Sequence, residues 1–101
     1  MSIITGTAEN FNQVVLQAKG SIIVDFWAAW CGHCTNMLPI VEAVIADHPD
    51  VTLVKVNVDE QPSLAMKYNV NVIPTLLFVK DGEIKHTAVG DQTKEYLESL
   101  L

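Results

Sequence analysis

Residues 26–38 read FWAAWCGHCTNML and contain both cysteines of the chain, Cys31 and Cys34. The stretch follows an apolar, β-rich run, SIIVDFW at residues 21–27, and begins a helical pattern that extends to residue 47. The two cysteines therefore lie at a junction between a strand and a helix. Such a pair can be a structural disulfide, half of a metal site, or a redox reagent.

The position of Cys31 at the start of a helix favours the redox reagent. Unpaired backbone N–H groups and the positive end of the helix dipole stabilise an anion at this point, and the thiolate is the attacking form of cysteine. Cβ atoms three residues apart on a helix are about 5–6 Å from each other, close to the range of a disulfide. One helical turn can therefore hold Cys31 and Cys34 as a dithiol or as a disulfide.

The alternatives lack the residues that they need. A zinc site requires a second pair of ligands, but no other cysteine is present, and His48 and His86 do not have the spacing of a ligand pair. Covalent haem attachment requires a histidine directly after the second cysteine, where this chain has Thr35. In a reducing cytosol a lone cysteine pair is more often catalytic than structural.

Composition and length restrict the function further. The 101 residues are half apolar, which predicts a single domain over residues 1–101. The net charge is −6 and arginine is absent, which argues against binding to nucleic acid or to an anionic membrane surface. We find neither the pattern of a signal peptide nor an apolar run of membrane-spanning length, so we expect a cytoplasmic protein.

The hydrophobic pattern alternates between strands and helices. Strands are predicted over residues 2–5, 21–27, 51–58, 75–79 and 84–89, and helices over residues 8–18, 31–47, 62–68 and 92–101. Thr7 is a candidate N-cap for the first helix, and Asp81-Gly82 predicts a hairpin turn. Tyr96, Leu97 and Leu100 are expected to face inward from the last helix. This order predicts a mixed sheet with helices on both faces.

Several motifs together resemble the thioredoxin family over nearly the whole chain. They are VDFWAAWCGHC at 24–34, Pro39, KVNVD at 55–59, IPTLLFVKDG at 73–82 and VG at 89–90. The resemblance implies an α/β thioredoxin fold, with a central five-stranded mixed sheet in the order 1-3-2-4-5 flanked by four helices. It also implies a redox-active Cys31–Cys34 disulfide, no bound cofactor and no metal.

The resemblance further implies catalytic roles for Cys31, Cys34 and Asp25, and a tuning role for Lys55. Cys31 would attack a substrate disulfide, and Cys34, the more buried thiol, would resolve the mixed disulfide. Asp25, a carboxylate in an apolar strand, would accept the proton of Cys34, with its pKa raised by burial. Lys55 would bias the ionisation of Asp25.

The substrate-binding surface is implied in the same way. Pro74 would follow a cis peptide bond, face the cysteines and expose the backbone of Ile73 to an extended substrate. The apolar rim around the active sulfur would comprise Trp30, Gly32, Val58, Ile73, Val89 and Gly90. Trp27 would pack against the active-site helix. The implied partners are protein disulfides and an NADPH-dependent thioredoxin reductase, and the implied state is a monomer.

Two residues depart from the family pattern. His33 replaces a proline and produces the CGHC motif of protein disulfide isomerases, whereas Thr35 replaces a common lysine. A histidine between the cysteines favours the Cys31 thiolate, so we predict a couple that is less reducing than that of a proline-bearing thioredoxin. Three functions stay open: a cytosolic disulfide reductase, a disulfide oxidase or isomerase, and a non-enzymatic binding subunit.

Overall fold

A computed structural model of the chain describes residues 2–101 and contains one five-stranded sheet. The strands are β1 (Ser2–Thr5), β2 (Ser21–Trp27), β3 (Thr52–Asn57), β4 (Thr75–Lys80) and β5 (Glu83–Val89). The helices are a π-helical segment (Asn12–Leu16), α1 (Gly32–Asp47), α2 (Pro62–Lys67) and α3 (Lys94–Ser99). The sheet order is β1-β3-β2-β4-β5, which confirms the expected order and the mixed sheet.

The pairing of the strands follows from their connections. β1 and β2 both run parallel to β3, because helical segments return the chain between them. β4 is antiparallel to β2 and to β5. The turn between β4 and β5 is Asp81-Gly82, and both residues have positive φ, 49° and 81°, as a two-residue hairpin turn requires. The predicted hairpin is therefore confirmed.

Two apolar cores cover the two faces of the sheet. Successive residues of β2 point into different cores. Ile23 packs in the core beneath α1 and α3, whereas Val24 packs in the core that contains Phe11 and Val15 of the first helical region. Both faces of β2 and β3 are covered, which explains their nearly continuous apolar sequences. Asp25 is the one charged residue within β2, and it is buried.

The longest helix, α1, carries the apolar stripe that underlies the helical pattern of residues 31–47. Its buried residues are Cys34, Met37, Val41, Val44 and Ile45, in agreement with the expected spacing. Pro39 lies within the helix, on its exposed side. Among residues 2–101, no helix is both long enough and apolar enough to cross a membrane.

The first and last helices differ from the prediction. Thr7 accepts a hydrogen bond from the Asn10 N–H through its hydroxyl (3.2 Å), so the chain turns there and the regular segment begins later. That segment is a π-helix, because the Gln17 N–H donates to the Asn12 carbonyl five residues earlier (2.8 Å).

Only part of the inward face predicted for the last helix is buried. Leu97 is fully buried and Leu100 partly so, but Tyr96 is 45% exposed, so its prediction as an inward-facing residue is wrong. Thr93 caps α3 by accepting from the Tyr96 N–H (3.1 Å), and the helix is only six residues long. Because the helix is so short, Leu97 is its only fully buried residue.

Candidate functional site

The candidate residues lie at one end of the strands, where β2 and β5 end and β4 begins. β2 ends at Trp27, next to the cysteines, and Phe26 pairs with Thr75 at the start of β4. Thr75 also pairs with Val89, the last residue of β5. Residues far apart in the sequence therefore lie around the start of α1.

The two cysteines form a disulfide across the first turn of α1. Their Cα atoms are 5.2 Å apart, within the usual range for a disulfide. Cys31 is the N-cap of the helix, and its sulfur accepts the N–H of Cys34 at 3.1 Å. Cys31 and Cys34 are 6% and 5% exposed, so burial hardly distinguishes them. Their positions do, because only Cys31 precedes the helix and receives a helical N–H.

The loop before β4 lies against Cys31. The Ile73–Pro74 peptide bond is cis, the isomer that the resemblance implies. The Cys31 sulfur is 3.9 Å from the Ile73 carbonyl oxygen, and Pro74 is buried. The Pro74 carbonyl accepts a hydrogen bond from the Gly90 N–H at 2.9 Å. Gly90 has φ of 77°, a conformation that glycine adopts without strain.

Apolar side chains surround the disulfide. Val58, Ile73 and Trp27 pack against the cluster that contains Cys31 and Cys34. Trp27 therefore packs beside the start of α1, as expected.

The rim also has exposed members. Trp30 is 71% exposed, and its indole N–H donates to a carboxylate oxygen of Asp59 at 2.8 Å. Val89 is 48% exposed, and Val72, which was not among the predicted rim residues, is 57% exposed. An apolar surface thus extends from the disulfide into solvent.

Asp25 is a buried acid beneath the disulfide. It is 4% exposed, and in residues 2–101 its Oδ1 atom has no hydrogen-bond partner. Burial raises the pKa of Asp25 to about 6, and the positive charge of Lys55 partly opposes that rise. Lys55 faces Asp25 in the register of β2 with β3.

A cavity of about 160 Å³ joins this acid to the second cysteine. The residues that line it are Asp25, Trp27, Ala28, Ala29, Cys34, Thr35, Leu38 and Lys55. The Lys55 ammonium is 4.7 Å from the centroid of the Trp27 ring, a cation–π contact that fixes the lysine near the acid. One water molecule occupies about 30 Å³, so the cavity has room for water between Asp25 and Cys34.

The side chains of His33 and Asp91 are in direct contact. The His33 Nδ1 atom is 2.9 Å from the Asp91 Oδ2 atom, and the side chains are 70% and 59% exposed. No local pattern indicates this partner, because the two residues are 58 positions apart. Asp59, the partner of Trp30, was visible only as the last letter of the KVNVD motif.

The redox group of the site is the cysteine pair itself. Within residues 2–101, no three side chains of His, Cys, Asp or Glu come together in a way that could hold a metal ion. The arrangement offers a sulfur at a helix N-terminus, a second sulfur one turn later and an acid across a cavity. Together these groups can carry out thiol–disulfide exchange.

Comparisons with a family model and with known proteins point to the same family. The thioredoxin family model matches residues 2–101. "Thioredoxin 1" of Synechococcus elongatus is 43% identical over 96 residues, which are 94% of this chain and 90% of the relative. The thioredoxin of Bacillus subtilis is 40% identical over 102 residues, covering 100% of this chain and 96% of the relative. The chain therefore belongs to the thioredoxin family, and its joined Cys31 and Cys34 make it a thiol–disulfide oxidoreductase.

Proposed function

We propose that the protein reduces disulfides in other proteins, with Cys31 as the nucleophile. The observation that carries this proposal is the N-cap position of Cys31, whose sulfur accepts the Cys34 N–H. In the reduced protein the same N–H and the helix dipole stabilise the Cys31 thiolate. Cys34 lies inside the helix and is the resolving thiol.

The reaction proceeds in two exchanges. The Cys31 thiolate attacks one sulfur of the substrate disulfide, forming a mixed disulfide and releasing the first substrate thiolate. The Cys34 thiolate then attacks the Cys31 sulfur, which forms the Cys31–Cys34 disulfide and releases the second substrate thiolate. Two electrons pass from the cysteine pair to the substrate, and protons restore the two substrate thiols.

Asp25 is the proton acceptor for Cys34 in this proposal. With a pKa of about 6, its carboxylate predominates at neutral pH, yet it is basic enough to take up a proton. It shares the cavity with Cys34, so the proton can pass through water. Lys55 lines the same cavity, and its charge favours the ionised form of Asp25.

Substrates are proposed to bind along the loop that contains Ile73. The Ile73 carbonyl lies beside the Cys31 sulfur, so an extended peptide pairing with this backbone would bring its own disulfide to Cys31. Val58 packs with Ile73 against the cysteines, Gly90 bonds to Pro74, and Trp30 and Val89 are exposed nearby in the chain or the sheet. Gly32 leaves open space at the helix start. This surface is apolar and has few polar groups, which suits many protein substrates.

The oxidised protein needs a reductant to act again. We propose that an NADPH-dependent thioredoxin reductase supplies it, and that the protein works as a cytoplasmic monomer with one domain over residues 1–101. The length of the chain and the match over residues 2–101 support the single domain.

A second candidate function is disulfide oxidation or isomerisation. The observation in its favour is His33 between the cysteines, since a histidine that stabilises the thiolate makes the disulfide more oxidising. The redox potential separates the two candidates.

Insulin reduction with dithiothreitol tests the proposed function. We expect turnover by the wild-type protein, none by Cys31→Ser, and accumulation of a mixed disulfide by Cys34→Ser. A wild-type protein without turnover would instead favour a binding subunit that uses the same apolar surface.

A further inference from the structure

We propose that Asp91 is a positioning residue that acts through His33 to keep the Cys31–Cys34 couple more reducing than the CGHC motif alone would make it. This inference rests on the proposed function. It concerns a residue outside the motif, in the loop that follows β5.

The contact between the two residues is direct. His33 lies between the two cysteines, and its Nδ1 atom is 2.9 Å from a carboxylate oxygen of Asp91. Protonated imidazole and carboxylate at this distance form a charge-assisted hydrogen bond. The imidazole is therefore engaged by Asp91 while the cysteines are joined.

The loop that carries Asp91 is held on both sides. Gly90 donates its N–H to the Pro74 carbonyl at 2.9 Å. Gln92 donates its N–H to the Met37 sulfur at 3.4 Å, and its side-chain amide donates to the Val89 carbonyl at 3.0 Å. Asp91 thus projects from a segment anchored to the substrate loop and to α1. Its carboxylate has a defined place opposite His33.

This pair competes with the effect expected of His33. A histidine favours the reduced form by donating a hydrogen bond to the Cys31 thiolate or by placing a positive charge near it. An Nδ1 atom bonded to Asp91 is not available for the sulfur, and the Asp91 carboxylate places a negative charge next to the imidazole, which offsets the charge of the ring whenever it is protonated. Both effects weaken the stabilisation of the thiolate by His33.

The consequence for the redox equilibrium has a definite sign. The disulfide form has no thiolate, so the His33–Asp91 contact there has no competitor. If His33 is to serve the thiolate in the reduced form, this contact must be given up or weakened. Asp91 therefore stabilises the disulfide relative to the dithiol, which makes the protein a better reductant. A CGHC motif can in this way belong to a reductase.

Equilibration with glutathione tests this inference in a double-mutant cycle of Asp91→Asn and His33→Pro. We expect Asp91→Asn to change the equilibrium constant about fivefold toward the dithiol, which corresponds to a potential about 20 mV less negative. In the His33→Pro background the same substitution should have no effect. Asp91→Glu, which keeps the charge, should restore most of the wild-type value, and Asp50→Asn controls for net charge.

A second measurement is the rate of Cys31 alkylation at neutral pH, which follows the thiolate fraction. It should rise in Asp91→Asn and not in Asp50→Asn. An unchanged potential in Asp91→Asn, or an equal shift in the presence and absence of His33, would overturn the inference. If the wild-type protein does not reduce insulin, the proposed function is refuted. The double-mutant cycle would still show whether Asp91 acts through His33.

Discussion

Asp25 on β2 faces Lys55 on β3 in parallel register, and both side chains line the cavity that reaches Cys34. The acid is buried, and the cation that offsets its burial is held against the ring of Trp27. A charge in this place opposes folding, because removing a carboxylate from water is unfavourable. Its presence is understandable if the site needs a base.

The contribution of Asp25 to the stability of the disulfide form should fall as the pH rises from about 4 to about 7. The pKa of Asp25 increases from 3.8 in the unfolded chain to about 6 in the folded one, so the folded protein binds more protons in this range. The full difference corresponds to about 3 kcal/mol, which is lost once the pH exceeds 6. Asp25→Asn removes this titration.

Denaturant unfolding of both proteins at several pH values measures this effect. The free energy of unfolding of Asp25→Asn, relative to that of the wild type, should increase by about 2 kcal/mol between pH 4 and pH 7, because part of the full difference already appears below pH 4. This comparison does not depend on the fixed cost of burying the amide. Parallel pH profiles for the two proteins would show that Asp25 is not a buried titrating acid.

Asp25→Asn should also slow the reduction of insulin at neutral pH. Without a proton acceptor in the cavity, Cys34 forms its thiolate less readily, and loss of a general base typically costs about 100-fold or more in rate. Single-turnover kinetics should place the loss in the resolution of the mixed disulfide rather than in its formation. An unchanged resolution rate would exclude Asp25 as the acceptor.

Lys55→Leu should raise the pKa of Asp25 further, because the charge of Lys55 lowers it in the wild type. Carboxyl chemical shifts followed by NMR as a function of pH measure this directly. The matched control is Lys55→Arg, which keeps the positive charge and the contact with an aromatic ring. A titration of Asp25 that stays the same in Lys55→Leu would mean that the lysine has no electrostatic role.

Replacing His33 by proline should make the couple more reducing. The thiolate loses what stabilisation the histidine supplies, and since Asp91 already engages His33, we expect a modest shift of about 10–30 mV toward negative potential. The two proteins are compared in the same glutathione buffers. Equal potentials, or a shift in the opposite direction, would contradict the assigned effect of the histidine.

Gly6→Ala should destabilise the fold without touching the site. A Cβ atom at Gly6 would lie 2.7 Å from a methyl carbon of Val54 and 3.0 Å from one of Val56, both in the buried centre of β3. Overpacking of this kind typically costs about 1–3 kcal/mol. Thermal unfolding should show a lower midpoint for this variant. Gly32→Ala is the control, since nothing lies within 4 Å of its added Cβ atom.

Much of the fold can be predicted from short-range patterns, and the predictions that failed did so for a physical reason. The stripe of α1 and the Asp81-Gly82 turn are encoded within a few neighbouring residues, so both were predicted. The sheet order came from the resemblance, because pairing between parallel strands depends on distant contacts. Tyr96 was misplaced because periodicity does not show how little of a six-residue helix is covered.

The site was predicted only as far as its motifs reach. Cys31, Pro74 and Asp25 lie in stretches with a recognisable pattern. The fold brings the Ile73–Pro74 loop to Cys31 and places Asp25 in the cavity that reaches Cys34. The partners of the exposed side chains were not predicted. His33 meets Asp91, and Trp30 meets a residue 29 positions away, through loops whose course no local pattern indicates.

The redox potential of the wild-type protein tests the central claim most directly. It is measured as the fraction of Cys31–Cys34 disulfide at equilibrium in glutathione buffers of known composition. Thioredoxins lie at about −270 mV and protein disulfide isomerase at about −180 mV. A reductase with a restrained CGHC histidine should lie between about −260 and −240 mV. A value near −180 mV or above would contradict the account and identify an oxidant or isomerase instead.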